Sequence, residues 1–334
     1  MAERNVGYVN LRILRENARM LKRKANAKML AVVKANAYGH GAETVATALH
    51  GEVDGFCVAL AEEGISLRYA GVSLPVLVFS PPLSVEEASR CIRHDLTVTV
   101  DGFTPLKRVL VAAKQMQKQA LVHLKAETGM HRMGMEKEEL HAVFHTAIAH
   151  PLLRVTGVYT HFSCATDEAF TKQQYERFMH MVTPLKTAYP QLLLHAGATG
   201  AIAYGSRFAL DAVRPGLGLY GYGTTGVSPV LSLYAPVLRR GAITAGERLG
   251  YGAPLFAPCR YALTRFGYAD GGLRSGGVFT PRCMDLSYLP DQTEESVEII
   301  GKNKNAEVLA KEEGTIPYEI LVRYTARARL SYVN

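Results

Sequence analysis

The chain has 334 residues, with 38 lysines and arginines against 30 aspartates and glutamates and a formal net charge of +8. Hydrophobic residues make up 48% and charged residues 20%, a composition that excludes a largely disordered or fibrous protein. The sequence contains no run of about 18 apolar residues and no apolar leader near its first methionine, so we expect neither a membrane span nor a secretory signal. At about 150 residues per domain, the length predicts two domains or one barrel with an appendage.

The five cysteines are widely spaced, which suits neither a disulfide framework nor a zinc site. We therefore expect reduced thiols, a cytoplasmic location and no metal. The basic stretch from Arg19 to Lys28 lies where Leu14, Ala18 and Leu21 recur at helical spacing, so its charges are expected on a solvated helix face. Since no base-stacking or groove-reading motif accompanies them, we do not expect nucleic-acid binding. The positive charge suits an anionic substrate or a phosphorylated cofactor.

Short apolar runs alternate with helical patterns through the first two-thirds of the chain. The runs lack strict polar–apolar alternation, as strands buried on both faces do, and cover residues 29–33, 56–60, 76–79, 96–100, 121–124, 155–160, 192–195 and 212–220. The helical patterns cover residues 42–49, 61–70, 86–94, 105–118, 137–149 and 168–188. Eight strands alternating with helices predict a (β/α)8 barrel. A doubly wound sheet is the alternative, but no GxGxxG follows the first strand.

The composition changes after Tyr220. The next nine residues, 221–229, are rich in Gly, Thr, Ser and Pro, as a linker would be. Beyond them we predict short strands at 237–243, 261–266 and 296–300 and a single late helix at 305–313. The predicted organisation is a (β/α)8 barrel over residues 1–222 followed by a smaller, mostly β domain over residues 223–334.

Residues able to do chemistry stand where four predicted strands end, and in a parallel barrel those ends share one rim. Lys34 follows the first strand, where loss of hydration lowers the pKa of an amine and lets it condense with an aldehyde cofactor. Tyr38 can direct a hydroxyl to the same rim. The alternative for Lys34, taken alone, is a lysine that extends into solvent.

The other three strand ends carry an arginine loop, a histidine and a second arginine. Arg132 offers a planar donor fork for a carboxylate or phenolate oxygen, whereas the simplest interpretation of Lys125 is an ion pair with Glu127. His161 ends the next strand, and a lone histidine there is more typical of a hydrogen-bonded structural group than of a base. Arg214 precedes a glycine whose amide can face a phosphate.

The chain resembles the alanine racemase family in successive blocks: AVVKANAYGHG, KAETGMHRMG, YTHFSCATDE, VRPGLGLYG, RFGYADGGLR, PRCMDL and GTIPYEI. The first block resembles the family's cofactor-lysine motif, and the resemblance runs from about Val9 to Tyr324. It implies a barrel, a β domain and pyridoxal 5'-phosphate as cofactor. It also implies a head-to-tail homodimer with shared active sites, an amino-acid substrate, and interconversion of L- and D-alanine that supplies D-alanine for peptidoglycan.

The resemblance implies a role for each matching residue. Lys34 would hold the cofactor and act as one of two catalytic bases, and Tyr268 of the partner subunit would act as the other from the opposite face. Arg214 would donate to the pyridine nitrogen, and His161 would link the tyrosine to that arginine. Arg132 would support the phenolic oxygen of the cofactor and the carboxylate of the substrate.

Further positions match the family by resemblance alone. Lys125 matches a lysine that is carbamylated in many members. Met284 matches a backbone contact near the substrate carboxylate, again made by the partner subunit. The matches to phosphate-contact positions are Tyr38, Thr199, Gly216, Leu217 and Tyr318.

Several features depart from the family pattern. Ala198 stands where Asn is usual, Glu127 where Asp is usual, and His131 where Gly is usual. After Tyr268 the chain is shorter than typical, and the tail after Glu319 also ends early. We therefore expect a shortened β domain, which would reshape the substrate entrance or loosen the dimer.

Other functions stay open from the sequence. The first is a racemase of broader or different specificity, for example for serine, although Lys125 in the carboxylate-support loop favours the alanine type. A pyridoxal-phosphate-dependent amino-acid decarboxylase shares the architecture but lacks the tyrosine of GYADG and uses a cysteine of the second domain, and Cys283 lies near that place. A non-enzymatic pyridoxal-phosphate carrier would resemble the barrel alone, and a binding module without that cofactor is the most distant alternative.

Overall fold

The computed structural model describes residues 5–248, 258–264, 266, 274–275, 278–279, 287–290 and 295–334. Its contacts divide the chain into two compact units. The barrel unit comprises Arg15–Ala37 and Ala42–Val227. The β unit comprises Met1–Leu14, Tyr38–Gly41 and Ser228–Asn334, so it takes two short segments from the first part of the chain.

Eight parallel strands close into a barrel, which confirms the predicted fold class. The first strand of the chain, β1 (Val6–Asn10), lies outside the barrel. The barrel strands, in pairing order, are β2 (Lys28–Val32), β3 (Gly55–Val58), β4 (Val76–Val78), β5 (Thr97–Val100), β6 (Ala120–Lys125), β7 (Leu153–Tyr159), β8 (Leu193–His195) and β9 (Ala212–Val213). The ring closes where β9 pairs with β2.

The last barrel strand is shorter than predicted. The run at 212–220 was expected to be one strand, but β9 ends at Val213 and Leu217–Tyr220 form a 3₁₀ helix. The intervening Pro215 has no backbone N–H to give to a sheet, which favours the end of the strand. The segment from Arg214 to Gly216 is thereby free to form a loop at the rim.

Helices separate the barrel strands and match the six predicted helical patterns to within about two residues. In chain order they are α1 (Leu11–Ala25), α2 (Lys34–Gly39), α3 (Ala42–Leu49), α4 (Ala61–Tyr69), α5 (Val85–Arg93), α6 (Phe103–Met116), α7 (Lys137–Ile148), α8 (Glu168–Ala188) and α9 (Thr199–Ile202). The basic amphipathic helix α1 was also expected, whereas α2 and α9 were not predicted. In α1, Leu14, Ala18 and Leu21 are fully buried, as the helical spacing predicts. None of the helices within the described ranges has the length and apolar character needed to cross a bilayer.

The β unit contains a sheet whose described strands follow the order β14-β11-β10-β1-β16, with β15 also paired to β10. Its strands are β10 (Leu231–Ile243), β11 (Cys259–Thr264), β12 (Arg274–Ser275), β13 (Val278–Phe279), β14 (Ser287–Pro290), β15 (Ser296–Ile300) and β16 (Arg329–Val333), of which β12 and β13 form a separate pair. The prediction of a second, mostly β domain is thus confirmed.

The prediction of a single late helix is wrong. α10 (Ala306–Glu313) matches the predicted helix, and a second helix, α11 (Pro317–Thr325), follows it. Proline is well tolerated in the first turn of a helix, where its missing N–H has no intrahelical partner to lose. The aromatic and β-branched residues of this segment hide its helical pattern in the sequence, yet Ile320 and Tyr324 are fully buried.

Candidate active site

The structure brings four of the predicted site residues to one rim of the barrel unit. Lys34 and His161 follow the carboxyl ends of β2 and β7, Lys125 is the last residue of β6, and Arg214 directly follows β9. Because the barrel strands are parallel, these ends face the same side. Arg132 belongs to the loop that leaves β6.

Lys34 stands at the start of a left-handed turn. Residues 35–38 have φ between 49° and 54°, and Gly39 follows at 82°. Each non-glycine residue in this conformation costs about 1–2 kcal/mol, so neighbouring contacts must hold the turn. One of them is the Ala35 N–H, which donates to Glu63 Oε1 at 2.6 Å. The segment after Lys34 is therefore fixed by its surroundings.

The amine of Lys34 lies among other cations. Burial lowers the pKa of Lys34, the charge of Arg132 lowers it further, and Glu63 opposes both. A lower pKa increases the neutral fraction of the amine, which is the form that attacks a carbonyl. The structure thus places a partly buried lysine amine within the electrostatic reach of Arg132.

The loop after β6 is shaped by Glu127. Its carboxylate accepts hydrogen bonds from the backbone N–H groups of Gly129, of Met130 at 2.7 Å and of His131 at 2.9 Å. Burial alone would raise the pKa of Glu127, but these three hydrogen bonds outweigh it and lower the pKa. The carboxylate therefore orders the loop that presents Arg132 to solvent, rather than serving mainly as the expected ion-pair partner of Lys125.

Lys125 is 3% exposed, so it is buried rather than part of an ion pair at the surface. Burial, followed by the charges of Arg132 and Arg214, lowers the pKa of Lys125 to about 8, while Glu127 acts in the opposite direction. The Nζ atom lies 6.0 Å from the centre of the Tyr159 ring. A substantial fraction of this amine is therefore neutral at mildly alkaline pH.

Arg214 is 2% exposed and donates to neutral groups. Its Nη1 donates to His195 Nδ1 at 2.6 Å, and its Nη2 donates to the carbonyl oxygens of Thr160 at 2.6 Å and Ala196 at 2.9 Å. Nη2 also lies 3.5 Å from His161 Nδ1. The guanidinium stays protonated near neutral pH, and none of these acceptors is an anion that would neutralise its charge.

Behind Arg214, two buried histidines continue the hydrogen-bond chain. A guanidinium only donates, so His195 Nδ1 must accept from Arg214 and His195 carries its proton on Nε2. That N–H donates to His123 Nδ1 at 2.9 Å. Burial, and then the charge of Arg214, lowers the pKa of His195 well below its usual value and that of His123 to about 3. Both rings are therefore neutral, in one defined tautomer.

Sequence reasoning missed the roles of His195 and His123. Both lie within predicted strands, and the available signal was a pair of polar rings in otherwise apolar runs near a buried arginine. Tyr159 packs against the same group: its ring stacks on His195 with centroids 4.9 Å apart and planes 7° apart, and lies 5.1 Å from Arg214 Cζ. His195 and Tyr159 therefore both contact the guanidinium group of Arg214, and His123 contacts His195 behind it.

His161 is a neutral imidazole at the rim. Burial, followed by Arg214 and the other cations of the rim, lowers the pKa of His161 to about 3. The sequence led us to expect that His161 links the second base to Arg214. Within the described residues, the half of this link that can be seen is the contact between His161 and Arg214. Tyr268 and Met284 lie outside the described residues, and so does Cys283.

Thr199 organises the glycine-rich segment after Arg214. Its Oγ1 accepts from the N–H groups of Gly216 at 3.2 Å and Gly218 at 3.0 Å, on either side of Leu217. An oxygen that accepts two hydrogen bonds still has its own hydrogen to donate. Among the described residues, Thr224 Oγ1 of the same segment is buried without a hydrogen-bond partner. Such an orphaned hydroxyl suits a ligand with acceptor oxygens.

Removing the Thr199 oxygen is expected to destabilise this segment. In Thr199→Val the two glycine N–H groups lose their acceptor, which costs about 1–3 kcal/mol of unfolding free energy for a buried unsatisfied donor. Thr199→Ser keeps the oxygen and serves as the matched control. Urea unfolding of the two variants measures the difference, and equal midpoints would contradict the role given to Thr199.

The two tyrosines predicted at phosphate positions belong to the β unit. The rings of Tyr38 and Tyr318 meet edge to face, with centroids 4.9 Å apart. Burial raises the pKa of Tyr318. Gly39, next to Tyr38, admits no side chain, because a Cβ there would lie 1.9 Å from Thr325 Oγ1. This close approach fixes the end of α2.

A parallel barrel with a reactive lysine, buried cations at its rim and an added β unit defines an enzyme of the barrel-plus-β-domain class. The family model described as "Alanine racemase, N-terminal domain" matches residues 9–224. The chain is 32% identical over 345 aligned residues to an alanine racemase of Pseudomonas entomophila (strain L48), covering 93% of this chain and 94% of that protein.

Solved structures agree. The crystal structure of the biosynthetic alanine racemase from Pseudomonas aeruginosa matches with a TM-score of 0.88 and 29% identity, covering 100% of both chains. The alanine racemase of Clostridium difficile 630 matches with a TM-score of 0.90 and 27% identity, covering 100% of this chain and 96% of that one. The chain therefore belongs to the alanine racemase family, and it is an isomerase of the amino-acid racemase type.

Proposed function

We propose that the protein interconverts L- and D-alanine with pyridoxal 5'-phosphate as cofactor and two bases on opposite faces of the substrate. The observation that carries this proposal is the placement of Lys34, with its lowered pKa, on one rim with Arg132 and Arg214. The names of the relatives support alanine as the substrate. A racemase for serine needs the same rim and remains the second candidate.

The residues of the barrel unit fit the cofactor. Lys34 offers an amine for its aldehyde, Arg214 a permanent donor for its pyridine nitrogen, and Thr199, beside Gly216 and Leu217, a hydroxyl hydrogen for its phosphate. The unpaired Thr224 hydroxyl is a further donor in that segment. When bound, the cofactor supplies a conjugated ring that accepts the negative charge developing at the substrate Cα.

The proton transfers fall to two residues. Racemisation removes the Cα proton on one face and returns a proton on the other, so two groups are needed. Lys34 Nζ serves one face and the hydroxyl of the partner subunit's Tyr268 serves the other. Arg132 orients the substrate by binding the substrate carboxylate, since a planar guanidinium can donate two parallel hydrogen bonds to a carboxylate.

Arg214 limits where protons can go. A guanidinium does not give up its proton near neutral pH, so an arginine at the pyridine nitrogen donates a hydrogen bond without protonating the ring. This restrains full charge transfer into the ring and should suppress side reactions such as transamination. His161, neutral and in contact with Arg214, is positioned to lower the pKa of a tyrosine base.

We further propose a head-to-tail homodimer in the cytoplasm that supplies D-alanine for peptidoglycan. The partner subunit is needed because the second base is assigned to Tyr268 of that subunit. The reduced cysteines expected from the sequence favour the cytoplasm, and Cys57, Cys91 and Cys164 are free thiols. Sedimentation at decreasing protein concentration tests whether the shortened β domain loosens the dimer.

Lys125 is expected to be carbamylated, because its neutral amine can add carbon dioxide. With a pKa of about 8, its neutral fraction rises as pH increases from 7 to 9, and carbamylation should rise over the same interval. The product is an anion beside Arg132. Carbon-13 NMR with labelled bicarbonate measures it, and Lys125→Arg, which keeps the charge, is the control. No labelled signal at pH 9, or one that survives in Lys125→Arg, would contradict the expectation.

Product analysis separates the candidate functions. The purified protein is incubated with L-alanine, L-serine, L-lysine and L-ornithine, and each mixture is analysed by chiral chromatography and for carbon dioxide. We expect D-alanine as the main product without carbon dioxide. D-serine formed at a comparable kcat/KM would establish the broader racemase, and carbon dioxide from a basic amino acid would establish the decarboxylase.

A further inference from the structure

A buried glutamine of α8 joins the segment after β7. Gln174 is 1% exposed. Its Oε1 accepts from the Ser163 N–H at 3.0 Å, and its Nε2 donates to the carbonyl oxygen of His161 at 3.4 Å. The Ser163 N–H can only donate, which fixes the orientation of the Gln174 amide. The backbone that carries the His161 ring is therefore held from both sides by one side chain.

The same side chain supports the loop that carries Arg132. Gln174 lies next to Gly129, because a Cβ built on this glycine would come into van der Waals contact with Gln174 Nε2, at 3.6 Å. Gly129 has φ of 124° and its N–H is held by Glu127. Gln174 thus lies next to the loop after β6 and is hydrogen-bonded to the segment after β7.

A second contact joins the two loops. Thr128 Oγ1 and Thr160 Oγ1 are buried and lie 2.7 Å apart. Outside this contact, a cavity of about 440 Å³ separates residues 128–131 from α8. Apolar packing does not fill this space. The helix is instead connected to the loop after β6 by way of the His161 segment, through the hydrogen bonds of Gln174 and the Thr128–Thr160 contact.

We propose that Gln174 is a positioning residue that sets the Arg132 loop and the His161 segment relative to each other. It acts through its hydrogen bonds to the backbone of the His161 segment, and the Thr128–Thr160 contact carries the effect to the Arg132 loop. The proposal rests on the proposed function, in which Arg132 holds the substrate carboxylate and His161 supports the second base. A small displacement of the groups that orient a substrate lowers the reaction rate strongly. A buried residue that holds these two segments in place can therefore affect the rate without contacting the substrate.

The first test replaces Gln174 by methionine, which has similar volume and neither polar group. Gln173→Met is the matched control, since Gln173 is the exposed neighbour on the same helix. We expect the KM for alanine to rise about tenfold in Gln174→Met, as for one lost buried hydrogen bond, with a smaller change in kcat. Amide hydrogen exchange should become faster in residues 128–132 and 161–164. KM and exchange equal to those of Gln173→Met would overturn the proposal.

The second test uses Gln174→Glu and a pH profile. A protonated carboxyl keeps both a donor and an acceptor, whereas a carboxylate loses the donor to His161. The activity of this variant relative to wild type should therefore fall as pH rises. A ratio independent of pH would indicate packing alone and overturn the positioning role. If the wild type does not racemise alanine, the proposed function fails, while the exchange measurements still decide the role of Gln174.

Discussion

Replacing Lys34 by alanine is expected to abolish racemisation, with a loss of about 10³-fold or more, because the proposed mechanism gives this one residue both the attachment of the cofactor and one of the two bases. Burial and Arg132 lower the pKa of Lys34, as expected for the amine to which the proposed mechanism assigns the cofactor. Alanine leaves neither amine nor base. The visible absorbance of the lysine-bound cofactor should disappear together with the activity.

Lys28→Ala is the matched control for this experiment. Lys28 begins the same strand, β2, and is exposed at the opposite end of the barrel. Its replacement should leave activity and visible absorbance unchanged. The assignment of Lys34 would be wrong if Lys34→Ala retained the cofactor band and turned over at a rate near that of Lys28→Ala.

Replacing Tyr268 by phenylalanine is expected to affect the two enantiomers of alanine unequally. In the proposed mechanism this hydroxyl serves one face of Cα and Lys34 serves the other, so only one enantiomer would lose its base. A missing general base costs about 10²- to 10⁴-fold in rate. Exchange of the Cα hydrogen with D2O, measured separately from L-alanine and from D-alanine, should therefore fall by this factor for one enantiomer and much less for the other.

The control for this substitution is Tyr8→Phe, which removes the hydroxyl of a tyrosine that is 43% exposed on β1. It should leave both exchange rates unchanged. Equal and modest losses for both enantiomers in Tyr268→Phe would count against two bases. Retained cofactor absorbance in this variant distinguishes a lost base from a lost cofactor.

The barrel was predictable because its strands are buried on both faces and therefore appear as apolar runs. Every residue of β3, β4 and β5 is buried. The β unit was less predictable because its sheet pairs distant parts of the chain. β1 lies between β10 and β16, and no local pattern shows that the first and last strands are neighbours.

The rim was predictable as a set of strand ends, but its supporting contacts were not. Arg214 was expected from its position, whereas its acceptor His195 follows only from three-dimensional pairing. Glu127 was expected beside Lys125, and the structure instead uses it to bind three backbone N–H groups. His131 has φ of 51°, so the glycine usual at this place in the family would avoid strain that this chain accepts.

The most direct test of the central claim is the conversion of L-alanine by the wild-type protein in D2O. The reaction is quenched at low conversion, the enantiomers are separated, and the deuterium content of each is measured by mass spectrometry. Two bases on opposite faces predict D-alanine that carries deuterium at Cα from its first appearance, without carbon dioxide. D-alanine that retains the original Cα hydrogen would contradict the two-base account, and release of carbon dioxide would contradict racemisation as the reaction.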